Sequence, residues 1–189
     1  MDYTKYKEIL KQRLNEKRYI HSLAVADEAK RLAIKYYADS EKAYLAGLLH
    51  DITKNAPKQE QLQIFDRFGI MLDNVTKNSE KLWHAVSGAA YIENILKISD
   101  PEIISAVRYH TTAKQNMSKF EKILYLADFT SSDRDYPDVD VMRNLVDISL
   151  ESAMEYALNY TINELRDKKA QIHLDTVLAY NEVVKKENN

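Results

Sequence analysis

The chain is 189 residues long, 45% hydrophobic and 30% charged, which suits one folded domain with a substantial core and excludes a disordered chain. A formal net charge of −2 gives no electrostatic case for a nucleic-acid or anionic membrane surface, and the absence of Cys excludes disulfides and thiolate metal sites. Three Gly and three Pro are few, which points to long helices joined by short turns.

The N-terminal stretch MDYTKYKEILKQRL is charged and has no apolar core of signal-peptide length. No stretch approaches the ~18 apolar residues of a membrane span. A soluble, cytoplasmic protein is expected. Residues 3–14 place Tyr3, Tyr6, Ile9, Leu10 and Leu14 on one face of an amphipathic helix. A second helix is expected from about Tyr19 to Tyr37, and a third from about Ser40. The third runs through AYLAGLL straight into His50 and Asp51, with Lys54 one turn on. Leu45, Leu48, Leu49 and Ile52 keep helical spacing, so the imidazole and carboxylate leave a buried helix near its end. Asn55-Ala56-Pro57 opens a fourth helix that ends near Gly69, and residues 70–80 read as a polar connection.

From Trp83 to Leu96 a helix rich in small residues is expected. Asp100-Pro101-Glu102 caps the next, which reaches His110. Ser118-Lys-Phe-Glu121 fits a capping box and opens a helix through Asp128. Residues 130–140 look irregular. A helical pattern returns from Val141 to Lys169, broken near Ser149, and a last helix starts at Asp175 before a solvated tail, KKENN. No alternating strand pattern stands out. The expected fold is all-α, a single-domain bundle of about ten helices over 1–189, with its functional centre within 18–134.

There are five His, at 21, 50, 84, 110 and 173. Taken singly, a His beside an apolar face is ordinarily a core histidine with a hydrogen-bond partner. His173 lies in a capping region, where a structural role is expected. His21, His50, Asp51, His84, His110 and Asp128 differ from it in one respect. Each falls at the start, end or inner face of a predicted helix, where all can converge on one bundle centre. Asp128 is the least expected, because a carboxylate on an apolar helix face needs a cation or a metal to remain ionised. His21, His50-Asp51 and Asp128 form a four-ligand set, His84 and His110 can hold a second ion, and Asp51 can bridge the two. Imidazoles with carboxylates suit iron, manganese or zinc better than calcium or magnesium.

This order, His21…His50-Asp51…Asp128, resembles the signature of the HD-domain phosphohydrolase superfamily, which is all-α. The words HDITK, WHAVSGA, YHTTAK and YLADF…DR, up to IHLDTVLAYN at 172–181, are similar to those of the YqeK-type symmetrical bis(5′-nucleosyl)-tetraphosphatases. The chain departs from that pattern at Ser131-Ser132, where the family usually has Glu-Pro, and at Leu174, where it often has Pro. The resemblance implies a dinuclear iron site. One ion would lie on His21, His50, Asp51 and Asp128, and the other on Asp51, His84 and His110. It also implies a dinucleoside polyphosphate substrate, diadenosine tetraphosphate, split at its centre into two ADP.

The chemistry so implied is metal-assisted phosphoanhydride hydrolysis by a water whose pKa two ions lower, with Asp51 and Lys54 in catalytic roles. Arg18, Lys54, Thr111, Thr112 and Arg134 are the expected substrate contacts. Two other readings stand beside this one. The first is an HD phosphohydrolase acting on another nucleotide, as a nucleotidase or alarmone hydrolase. The second is a non-catalytic nucleotide-binding regulator. No nucleic-acid or membrane partner is expected, and the sequence allows a homodimer.

Overall fold

Beyond its charged first turn, helix α3 (Ser40–Leu49) is apolar all round, with Ala43, Leu45, Ala46, Gly47, Leu48 and Leu49 all buried. A helix of that kind can only sit at the centre of a bundle. In a computed structural model describing residues 2–187, the rest of the chain packs around it as helices, with no strand among the described residues.

Helix α1 (Thr4–Arg13) lies across α3 and across α2 (Glu16–Lys35). The α2–α3 interface is the most extensive in the molecule. Helix α4 (Lys58–Arg67) packs on α6 (Trp83–Asn94), which in turn packs on α7 (Pro101–Tyr109). Helix α8 (Lys119–Thr130) touches α2, α3 and α7, and so closes the ring around the centre. Helices α9 (Val139–Ile148), α10 (Leu150–Asp167) and α11 (Leu174–Glu187) form an outer layer, with α10 joined to α8 and to both its neighbours.

The capping chemistry matches the sequence. Asp100 accepts from the backbone N–H groups of Glu102 and Ile103, with Pro101 opening α7. Ser118 and Glu121 form both halves of a capping box on α8. The break expected near Ser149 is there: Ser149 is extended, and its side chain accepts from Ser152 N.

Two expectations need correction. Helix α2 begins at Glu16, about one turn before Tyr19, because the Asn15 side chain caps it by accepting from Arg18 N. Residues 70–80 are more ordered than a polar connection. They hold a one-turn helix, α5 (Asn74–Asn78), and the start of a 3-10 turn, Glu80–Leu82. Asp73 caps α5 by accepting from Val75 N and Thr76 N, and the buried Trp83 donates its indole N–H to Thr76 O. Eleven α-helices stand among the described residues, in keeping with the expected count of about ten. Most of the expected tail, 185–189, lies outside the residues whose side chains are described.

Gly47 decides how closely α2 and α3 approach. A Cβ there would lie 2.7 Å from Ala26 Cα and 2.9 Å from both Ala26 N and Val25 O. These are backbone atoms, so no rotamer change relieves the clash. Close approach at this point brings the ring centroids of His21 on α2 and His50 after α3 to 5.2 Å. Gly47→Ala should therefore destabilise the protein by about 1–3 kcal/mol, as overpacking of a tight core does, despite the better helix propensity of Ala. A denaturant midpoint equal to or above that of the parent would show that the two backbones are free to separate.

Candidate metal centre

His50 is the residue at which α3 stops, and Asp51 follows in a tight turn. Both are almost completely inaccessible, at 0% and 2%. His21 projects from the second turn of α2, His84 from the first turn of α6, and His110 from the C-terminal end of α7. All three are buried. Asp128 comes from the last turn of α8. Six residues that the sequence scatters over more than a hundred positions thus meet at one point. His21 packs edge-on to His50, His50 to His110, and His110 to His84, at centroid separations of 5.2, 5.0 and 5.1 Å.

Asp51 sits across this row. Its Oδ1 lies 3.1 Å from His84 Nε2 and 3.6 Å from His110 Nε2, while its Oδ2 lies 3.4 Å from His50 Nε2. Asp128 Oδ1 lies 2.9 Å from His21 Nε2 and 3.9 Å from His50 Nε2. Three overlapping triads have ligand-capable atoms within 4.8 Å of one another: His21-His50-Asp51, His50-His110-Asp128 and Asp51-His84-His110. The first and last share Asp51.

The far side of three rings is already committed. His50 Nδ1 donates to Gly47 O and His110 Nδ1 to Val107 O, each at 2.7 Å. A carbonyl oxygen only accepts, so these Nδ1 atoms carry the proton and each Nε2 keeps a lone pair toward the centre. His21 Nδ1 is 2.8 Å from Asp133 Oδ2, which does the same with a carboxylate. His21 Nε2, His50 Nε2 and Asp51 Oδ1 are buried and make no hydrogen bond. Leaving such atoms unsatisfied costs about 1–3 kcal/mol each. Neutral imidazole nitrogens and carboxylate oxygens aimed at one space are the donor chemistry of a divalent metal centre, and the orphaned atoms fit that occupant.

The charge states agree. Burial holds the His84 imidazolium pKa down at about 4, so this ring is neutral near pH 7. Burial alone would raise Asp51 and Asp128. At Asp128 the Arg134 guanidinium outweighs it and holds the carboxyl well below the usual range, and at Asp51 the fixed positive charge is the Arg18 guanidinium, 2.8 Å from Oδ2.

Cations border the cluster. Arg18 Nη1 lies 2.8 Å from Asp51 Oδ2, and Arg134 binds the Asp128 backbone carbonyl at 2.6 Å and also its carboxylate. Lys54 Nζ lies 3.1 Å from His84 Nε2 and 3.9 Å from Asp51 Oδ1, and burial lowers its pKa. The two threonines after His110 differ. Thr111 Oγ1 is buried without a partner, whereas the Thr112 hydroxyl donates to Ala113 O and its carbonyl accepts from Thr176 of α11. His173 stands apart from the cluster, with its Nδ1 accepting from Asp175 N at the start of α11, as its capping position suggested.

Two contributors were given no role from the sequence, although Asp133 stands in the word YLADF…DR. Asp133, besides holding His21, accepts from Ser131 Oγ at 2.7 Å. Arg143 on α9 donates to the carbonyls of Thr130, Ser131 and Arg134, and so pins the irregular segment that carries Asp133. An irregular segment has no periodicity to read, and Arg143 lies on a different helix from every ligand-capable residue. Only the adjacency of Asp133 to Arg134 hinted at a role.

Comparison with known proteins agrees with this geometry. Residues 18–133 match the family described as HD domain, the interval that contains the whole cluster. The symmetrical bis(5′-nucleosyl)-tetraphosphatase of Bacillus subtilis (strain 168) is 37% identical over 175 residues, covering 93% of this chain and 94% of the relative. The protein of the same name from Staphylococcus aureus (strain NCTC 8325 / PS 47) is 39% identical, covering 77% of this chain and 74% of the relative. Among solved structures, a "predicted HD superfamily hydrolase involved in NAD metabolism" from Clostridium acetobutylicum superposes with a TM-score of 0.94 at 35% identity, over 98% of both chains. With its imidazoles and carboxylates gathered on one bundle and its similarity running nearly end to end, the chain belongs to the HD-domain hydrolases, in the family of the symmetrical bis(5′-nucleosyl)-tetraphosphatases.

Proposed function

We propose that this chain hydrolyses diadenosine tetraphosphate symmetrically, consuming one water and releasing two ADP. The observation that carries the reading is Asp51, whose two oxygens face different sets of imidazoles inside a relative of enzymes bearing that name. We further propose that two iron ions are held, one by His21, His50, Asp51 and Asp128 and the other by Asp51, His84 and His110, with Asp51 shared. Bound there, such ions would supply Lewis-acid activation of water and neutralise phosphoryl charge.

The protein's own residues do the remaining work. Arg18 and Arg134 each keep one face on a carboxylate and are partly exposed, at 27% and 34% of their side chains. They can therefore meet an incoming phosphate without leaving the centre. Arg guanidinium suits this, because its planar fork serves two oxygens at once. Lys54 is a compact charge beside Asp51 and His84, placed to stabilise the negative charge that builds on the central phosphates. Thr111 offers an unpartnered hydroxyl next to His110, and Thr112 holds the loop that presents it. Asp133 fixes the His21 tautomer.

Product analysis tests the reaction: iron-loaded protein given diadenosine tetraphosphate should yield ADP alone. AMP with ATP, or free phosphate, would assign the chain a different hydrolytic activity. Asp51→Ala should abolish turnover and reduce bound metal, measured by elemental analysis after anaerobic purification. Full activity in that variant would end the two-ion proposal. Asp133→Ala should weaken metal binding by about 10–100-fold in titrations, as loss of an outer-shell partner does, while Asp133→Asn should keep most of the affinity because its carbonyl still accepts from His21. Equal affinity in the parent and Asp133→Ala proteins would make Asp133 a surface residue without influence on the centre.

A further inference from the structure

Two cavities open onto opposite ends of the imidazole row. The first, of about 400 Å³, is lined by Lys17, Arg18, His21, Asp133, Arg134 and Tyr136. The second, of about 450 Å³, lies between the turn after Asp51, α4 and the start of α6, and is lined by Lys54, Lys58, Gln61, Lys81, Trp83 and His84. His21 is one terminus of the chain of ring contacts and His84 the other. The only substrate-contact residue expected in the second cavity was Lys54.

Basic side chains outnumber acidic ones in both cavities, Lys17, Arg18 and Arg134 against Asp133 and Asp135 in the first and Lys54, Lys58 and Lys81 against Glu80 in the second, in a protein whose net charge is negative. Lys17 and Lys81 are exposed and make no ion pair among the described residues. Lys58 pairs with Glu80 at the surface, a contact worth little and easily exchanged for a phosphate. A mononucleotide at a single centre needs one such cavity. A molecule with a nucleoside at each end of a polyphosphate needs one on each side of the bond to be cut.

Resting on the activity proposed above, we propose that the Lys54-Lys58-Lys81 cavity binds one nucleoside diphosphate half of a dinucleoside tetraphosphate. The Lys17-Arg18-Arg134 cavity binds the other, and the central phosphoanhydride lies across the imidazole row. Cleavage at the middle then follows from one nucleoside diphosphate half being held at each end of the row. Neither base has to be recognised for the cut to be symmetrical.

The test is ADP binding to the iron-loaded protein by isothermal titration, beside steady-state kinetics on diadenosine tetraphosphate. Two ADP should bind per chain. Lys81→Glu should abolish one of the two sites and Lys17→Glu should weaken the other. Both residues are exposed, so folding is not at stake. Each variant should raise the KM for the tetraphosphate by about tenfold, the size of a reversed phosphate contact, and more than it lowers kcat. One ADP per chain in the parent, or two sites that Lys81→Glu leaves unmoved, overturns the two-cavity arrangement even where ADP is the product. Failure to form ADP from the tetraphosphate overturns the activity and this arrangement together.

Discussion

The structure depends on one buried carboxylate. Asp51 is 2% exposed and faces three imidazoles, with a guanidinium against its outer oxygen. A buried ion of this kind is stable only where enough opposing dipoles and charges surround it. Four helices and the turn after α3 supply them. Asp51 is met by His50, His84, His110 and Arg18, and the second carboxylate, Asp128, is met by His21 and Arg134.

The apolar packing exists on the same elements and supports the centre. The apolar C-terminal half of α3 delivers His50 and Asp51 at its end, so hydrophobic burial does the positioning. Gly47 serves twice. Its missing side chain lets α2 lie against α3, and its carbonyl holds His50 Nδ1. Val107 O does the same for His110 at the end of α7. Both histidines follow a helix whose last carbonyls are free to accept, which is why a helix C-terminus is a good place to fix an imidazole tautomer. Each ring is thereby aimed by backbone that the core already holds rigid, so its orientation does not depend on a mobile side chain.

Around this rigid centre the charges are graded. The ligand-capable groups are buried, save Asp128, whose side chain is 18% exposed. The partly exposed Arg18, Lys54 and Arg134 touch them from the outside, and the exposed Lys17, Lys58 and Lys81 lie further out. A polyanion approaching from solvent meets exposed lysines first and forked, carboxylate-held guanidiniums last. Local arrangement accomplishes this against a slightly negative total charge, so net charge alone was a poor guide to what this surface receives.

The helical class, the caps at Asp100 and Ser118, the interruption at Ser149 and the six ligand-capable residues were all legible in the amino-acid order. Each is a local feature: a 3.6-residue period, a polar residue at a helix end, an ionisable group where the pattern demands an apolar one. The early start of α2 and the short helix at Asn74–Asn78 were missed, because Asn15 and Asp73 look like ordinary loop residues until their side chains are seen to accept backbone hydrogens. Which oxygen of Asp51 faces which imidazole, the hold of Asp133 on His21, the bracing by Arg143 and the second cationic cavity were decided only in three dimensions. These are contacts between residues far apart in the chain, set by how helices cross and how closely Gly47 lets them approach. No spacing along one helix encodes them.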